Sequence, residues 1–289
     1  DEDLVPEKET VLVFTAGGYV KRTDPSEYKM QRRGGVGVID LETKEEDFVT
    51  QLLTTDTHSD LLFFTNKGKA YQIKMYELPE GRRATKGKSI MNYLSLAGDE
   101  NVTSILAVPK SAKAEKASLM LVTKKGVAKK VSYESFKDVR RSGIIAIRLD
   151  AGDELEAVLR VHKGQSIILA TSEGQSIRFD EVDVREMGRT AGGVRAMKLG
   201  KHDKLICADV ISTEEKTYML IMGENGIGKK TAISEYKVQK RGGSGIKTAK
   251  ITTKTGKLMV GKIVQDDMEL VAMSKKGQVI RVDLNTIPS

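Results

Sequence analysis

The chain has little from which to build a reaction centre or a cross-linked shell. It holds one cysteine in 289 residues, Cys207, which excludes an internal disulfide and fits a reducing, cytoplasmic setting. Its three histidines, His58, His162 and His202, stand far apart with no cysteine or carboxylate at metal-ligand spacing, so a zinc site is not expected. It has no Gly-x-Ser-x-Gly elbow, no Cys–His arrangement and no prominent carboxylate pair, and nothing in the sequence argues for an active site. No apolar run is long enough to cross a bilayer, and the acidic opening DEDLVPEKE does not read as a signal peptide. Helical periodicity over a dozen or more residues is missing as well.

What the chain does have is repetition. An apolar, β-rich run followed by a turn ending in glycine recurs six times. The copies are VLVFTAGG to Gly18, LLFFTNKG to Gly68, LMLVTKKG to Gly126, IILATSEG to Gly174, YMLIMGENG to Gly226 and LVAMSKKG to Gly277. Successive glycines are 50, 58, 48, 52 and 51 residues apart, the long interval holding the charged stretch KSAKAEKAS. A second extended run follows each turn, so each unit opens with a hairpin whose glycine accepts positive φ. A Gly/Arg segment and a further strand pair come next, such as VGVIDL with DFVTQLLTT. About fifty residues and four strands make one propeller blade. The expected fold is all-β: a propeller-like disc of six four-stranded antiparallel blades. Residues 1–9 read as a linker or N-terminal extension and 10–289 as one domain. The sixth unit stops about twelve residues past Gly277, so it needs an N-terminal strand or strand exchange to close.

Charge is distributed by the same period. The net charge is +8 from 48 basic and 40 acidic residues, a surplus that matters only where it is concentrated. Fifteen residues beyond the turn glycine stand Arg33, Arg83, Arg141, Arg189 and Arg241. Four residues beyond it stand Arg22, Lys130, Arg178, Lys230 and Arg281, with Gln72 the exception. Adjacent basic residues, Lys21, Arg82, Lys129, Arg140, Lys229 and Lys240, thicken both bands. Windows 19–37 and 229–247 carry five and six basic residues against two and one acidic. Equivalent positions of a ring lie at one height, so these residues are expected to band its rim and to favour a polyanionic partner. The plainer readings are a repeated backbone turn for the glycines and a salt bridge within the blade for the arginines. The scattered tyrosines fit strand packing better than base stacking. GENGIGKKT (223–231) imitates a phosphate-binding loop, but it has Lys230 where Ser or Thr should hold magnesium, and it lies between strands.

The segment Gln31-Arg32-Arg33-Gly34-Gly35-Val36-Gly37, set among these blades, resembles the seven-residue gyrase-A box. The whole chain is similar to the C-terminal domain of the gyrase A family. Val36 stands where the family box commonly has lysine, which removes one phosphate contact; QKRGGSG at 239–245 is a near-copy. The resemblance implies a β-pinwheel whose blades exchange strands and which wraps double-stranded DNA with little sequence preference, enabling negative supercoiling. It assigns Gln31, Arg32, Arg33, Gly34, Gly35 and Gly37 as the DNA-binding box. It also implies partners in the rest of gyrase A and in gyrase B, as an A2B2 complex in the bacterial cytoplasm, with the nucleoid. The domain itself would be monomeric, away from membranes, non-catalytic and free of cofactors, with ATP and magnesium used elsewhere in the enzyme. Rival readings are the equivalent domain of topoisomerase IV, and a propeller scaffold for an acidic protein.

Overall fold

A computed structural model describes residues 2–27, 38–39, 47, 49–110, 117–265, 269–273 and 278–283. Strands follow the sequence period. Unit one supplies β1 (Glu9–Thr15), β2 (Tyr19–Thr23), β3 (Val38–Ile39) and β4 (Val49–Asp56). Unit two supplies β5 (Asp60–Thr65), β6 (Lys69–Lys74), β7 (Lys88–Ser89) and β8 (Val102–Val108). Unit three gives β9 (Ser118–Thr123), β10 (Val127–Ser132), β11 (Ile144–Ile145) and β12 (Leu155–Val161). Unit four gives β13 (Ser166–Thr171), β14 (Gln175–Asp180), β15 (Val194–Arg195) and β16 (Leu205–Ile211). Unit five gives β17 (Thr217–Gly223), β18 (Gly228–Ala232), β19 (Ile246–Lys247) and β20 (Leu258–Gln265), and unit six gives β21 (Glu269–Met273) and β22 (Gln278–Asp283).

The hairpins form as their turns dictate. In units one to four the turn-glycine N–H donates to the threonine carbonyl three residues back at 3.0 Å. The glycine then takes positive φ, from +76° to +88°, which only glycine adopts without strain. The threonine itself has a use: Thr15, Thr123 and Thr171 Oγ1 each accept the backbone N–H four residues on, at 3.1–3.2 Å. That explains why the apolar run closes on threonine in these copies.

The sheets differ from a simple reading of four strands per unit. Strand orders are β4-β1-β2-β7, β8-β5-β6-β11, β12-β9-β10-β15 and β16-β13-β14-β19. Each unit's two-residue strand therefore leaves its own blade and pairs with the hairpin of the preceding unit. The expected count is also corrected. Five blades follow one another in order among the described residues, four of them four-stranded and the fifth, β20-β17-β18, three-stranded. Among the described residues unit six adds a hairpin, and β22 takes β3 from unit one as its neighbour, Val279 opposite Val38. The same hand-over of a short strand thus joins the two ends of the chain.

Packing lies between blades. Leu61 and Phe63 of β5 join Leu12, Phe14 and Val20 of blade one in one cluster; Leu62 and Phe64 join Leu119, Leu121 and Val131 of blade three in another. A strand buried on both faces must be apolar throughout, which is why LLFF does not alternate. Each such side chain contributes about 1.5–3 kcal/mol on burial. The strands β8, β12, β16 and β20 lie against one another in succession, as strands around a common axis do. The two-residue strands occupy the opposite, outer edge.

Close approach explains the glycine nineteen residues past the turn. A Cβ on Gly245, at φ +73°, would sit 1.9 Å from Ser176 O of the preceding blade. Gly245→Ala should therefore cost at least about 2 kcal/mol, whereas Gly243→Ala, with nothing within 4 Å of its Cβ, should stay within about 0.5 kcal/mol. Urea denaturation of the two variants checks this contrast.

Candidate nucleic-acid interface

In units two to five the Gly/Arg segments connect the second strand to the outer two-residue strand, so they run along the outer edge at the seam with the preceding blade. The box, Gln31 to Gly37 with Arg32, Arg33, Gly34 and Gly35, lies outside the described residues, as does the side chain of Arg281. The other candidates divide sharply by burial.

Of the band four residues past the turn, Lys130, Arg178 and Lys230 are buried and Arg22 is half-buried, so their assignment to the rim is corrected. Arg178 is buried and donates to Ser166 Oγ (2.9 Å), Glu214 Oε1 (2.7 Å), Tyr236 O (3.0 Å) and Ile233 O (3.4 Å). Lys130 is buried against Glu181 of the next unit. Arg22 Nε donates to Leu78 O at 3.0 Å. Lys230 is buried with its ammonium 4.6 Å from the Tyr218 ring centroid. Arg22, Lys130 and Arg178 also sit where the strand makes a parallel bridge to the next unit, at Glu80, Glu186 and Val238. Arg22, Lys130 and Arg178 latch blade to blade, whereas Lys230 packs on a ring of its own blade.

Lys21 and Lys129 are corrected in the same way. Lys21 is 1% exposed, and its Nζ donates to Arg82 O (2.9 Å), Arg83 O (2.6 Å) and Thr85 O (2.8 Å). Lys129 is 0% exposed, with Nζ at 2.6–3.0 Å from the carbonyls of Ala146, Gly188, Arg189 and Ala191. Burial, with the Arg189 guanidinium nearby, brings Lys129 down to about 8, so it still carries its charge at neutral pH.

The remaining candidates face solvent. Arg82, Arg140, Arg141, Lys229 and Lys240 are exposed, and Arg83, Arg189 and Arg241 are half-buried. The four described arginines fifteen past the turn explain their own recurrence: each reaches back to the preceding unit. Arg83 Nη1 donates to Glu27 O at 2.7 Å, and Arg141 pairs with the Glu77 carboxylate. Arg189 Nη1 donates to Ile145 O at 3.1 Å, while Arg241 gives Nε to Asp183 O at 2.8 Å and Nη1 to Arg195 O at 2.9 Å. The plain reading, a salt bridge within the blade, is thus half right. The tie is real, but it runs between units and mostly to carbonyls, and it leaves guanidinium N–H groups at the surface.

Sequence reasoning missed three cations. Arg148, Lys198 and Lys250 are exposed and stand four residues past the first residue of β11, β15 and β19. The Arg148 guanidinium lies over Gly192, 3.6 Å from where a Cβ would be. The missing signal was the strand start, since the turn glycine does not hold this register in unit three. By contrast, lysines at the turn end of the blades are matched by acids, Lys67 with Asp99 at 3.0 Å and Lys257 with Glu173 at 3.1 Å. Arg82 and Arg140 have no side-chain partner among the described residues. No group of three or more His, Cys, Asp or Glu suited to a metal occurs among the described residues.

Fold and site together define an all-β propeller with exchanged strands and arginine-bearing loops along its outer edge. The sequence matches the family described as DNA gyrase C-terminal domain, beta-propeller, over residues 9–56, 59–109, 117–162, 165–212, 217–259 and 269–289, and the chain belongs to that family. It is 40% identical over 287 residues to the DNA gyrase A proteins of Staphylococcus epidermidis (strain ATCC 12228 / FDA PCI 1200) and Staphylococcus aureus (strain MRSA252), covering 99% of this chain. The match spans 32% of each of those proteins. A solved DNA gyrase A C-terminal domain superimposes with TM-score 0.80 at 28% identity, over 95% of this chain and 89% of that one. The C-terminal domain of a DNA topoisomerase IV shares the fold, with TM-score 0.77 at 23% identity, over 98% and 86% of the two chains.

The division by burial predicts two stability classes. Arg178→Ala strips a buried cation from four acceptors and should cost roughly 2–4 kcal/mol. Arg82→Ala should change stability by less than about 0.5 kcal/mol. Thermal and urea unfolding of both variants measures the difference.

Proposed function

We propose that this chain is the DNA-wrapping domain of a gyrase A protein, non-catalytic by itself. The observation that carries this reading is the recurrence of solvent-facing cations on equivalent outer loops: Arg82, then Arg140 and Arg141, then Arg189, then Lys240 and Arg241. Contacts spaced along an arc are what bending requires. Smoothly bending a short duplex by 40–90° costs on the order of 1–6 kcal/mol, which one contact point cannot offset. Phosphate contacts carry no sequence information, so binding through these cations should tolerate any sequence.

In this reading residues 10–289 act as one domain, with β3 tying the last hairpin to the first unit. The box arginines Arg32 and Arg33 anchor the duplex, and the later loops carry the curve. The partners are double-stranded DNA, the rest of gyrase A and gyrase B in an A2B2 enzyme of the bacterial cytoplasm and nucleoid. ATP and magnesium serve other parts of that enzyme, and the wrapped segment is presented for strand passage, giving negative supercoils.

Nicked-circle ligation in the presence of the purified chain tests the wrapping. Ligated topoisomers should shift in proportion to bound protein, and unshifted topoisomers at saturation would sink the proposal. Affinity should fall steeply with salt, and each phosphate contact removed, as in Arg82→Ala or Arg140→Ala, should lower the log–log slope by about 0.9. Arg32→Ala with Arg33→Ala should reduce the topoisomer shift more than either loop variant does.

A further inference from the structure

We propose that Lys21 and Lys129, buried and out of reach of any ligand, position the loops of the following units so that backbone N–H groups, beside the arginines, form phosphate-binding nests. This rests on the DNA-binding reading above and adds to it a second kind of phosphate donor and the residues that set it.

The peptide unit itself dictates the geometry. No cis peptide occurs among the described residues, and across a trans peptide the C=O of one residue and the N–H of the next point in opposite directions. Lys21 Nζ draws in the carbonyls of Arg82, Arg83 and Thr85. The amides of Ala84 and Lys86 are thereby turned away from the lysine, toward the side on which Arg82 is exposed. Lys129 does the same to Gly188, Arg189 and Ala191, which turns the amides of Thr190 and Gly192 outward beside Arg189 and Arg148. In both loops the inward geometry is closed by a turn bond, Thr85 N–H to Arg82 O at 3.0 Å and Ala191 N–H to Gly188 O at 3.2 Å. Several carbonyls converging within four residues would repel one another without a cation at their centre. The ammonium removes that repulsion and leaves two alternate amides of each loop facing away from it, one on either side of the turn-bonded Thr85 or Ala191, donors of the kind an anion site uses.

The loops without such a lysine show the contrast. Three residues past the turn, Tyr71 and Ile177 stand where Lys21 and Lys129 stand. In all three loops the amide thirteen past the turn donates inward, Gly81 to Arg22 O, Met187 to Lys130 O and Gln239 to Arg178 O, at 2.8–3.0 Å; in the loop that packs on Ile177 the amide three residues further on does so as well, Gly242 to Ala196 O at 2.6 Å. The difference lies at that second amide: Gly242 is spent on the neighbouring blade, whereas Ala84 and Thr190, at the same offset in the two loops with a buried lysine, make no such bond among the described residues.

The test is amide NMR of the full chain titrated with a short DNA duplex, for wild type, Lys21→Met and Lys129→Met. In wild type, the amides of Ala84, Lys86, Thr190 and Gly192 should shift on duplex binding. Lys129→Met should abolish the shifts at Thr190 and Gly192, preserve those at Ala84 and Lys86, and weaken affinity about tenfold. Lys21→Met should do the reverse, so each variant controls for folding of the other. Four amides that stay still in wild type while the duplex binds would overturn the nests and leave the DNA reading standing. Retention of the shifts in the matching variant would overturn the role of the lysine. If a variant does not fold, the wild-type shifts decide the matter alone. A wild type that binds no duplex overturns both readings.

Discussion

The constraint on which everything else hangs is the hand-over of a two-residue strand from each unit to the blade before it. Two residues of pairing are too few to hold a strand by hydrogen bonds alone. The exchange persists because the flanking residues are tied down on both sides. Ile90, Ala146, Ala196 and Thr248 each donate from just beyond the short strand to the turn-glycine carbonyl of the preceding unit, at 2.8 Å in all four cases. The latch cations Arg22, Lys130 and Arg178 close the other end of the same connection. Between these two ties the chain has to run along the outer edge, and that is where the Gly/Arg loops are.

Seen from this seam, the basic residues sort into three trades. Arg22, Lys130 and Arg178 join blade to blade, Lys21 and Lys129 hold loop backbones, and those on the loops lie at the outer edge. A single count of positive charge hides the division. Two neighbours in sequence, Lys129 and Lys130, illustrate it: one takes carbonyls of the loop and the other a carboxylate. On a strand, adjacent side chains point to opposite faces, so a pair of lysines there cannot share one task.

That division also marks how far the sequence could be read. Hairpins, blade length and the recurring offsets were all legible, because turn glycines and doubly buried strands impose local, periodic requirements. The glycine at Gly245 could be read as architecture, and the contact with Ser176 O supplies the reason. Strand exchange could not be derived from spacing, since a strand of two residues such as Ile144–Ile145 carries no pattern naming its partner. Nor could burial of Lys21: a cation next to Arg22 and opposite an arginine loop looks like rim. Only the convergence of three carbonyls reveals that its charge is satisfied inside. Arg148, Lys198 and Lys250 escaped because unit three shortens the path from turn to outer strand by two residues, which breaks a register counted from the glycine.

The seating of Arg83, Arg141, Arg189 and Arg241 on backbone or carboxylate of the preceding unit has a mechanical side. Each cation is rooted in one blade and leans on the next, so a pull on it is met as shear across a seam instead of as the swing of a loose loop. On the wrapping proposal, the stiffness with which the disc would resist a springy, strongly charged polymer is therefore the stiffness of its seams. A slight opening of any one seam would change the pitch at which neighbouring cations follow one another, making the curve adjustable by small rotations of whole blades.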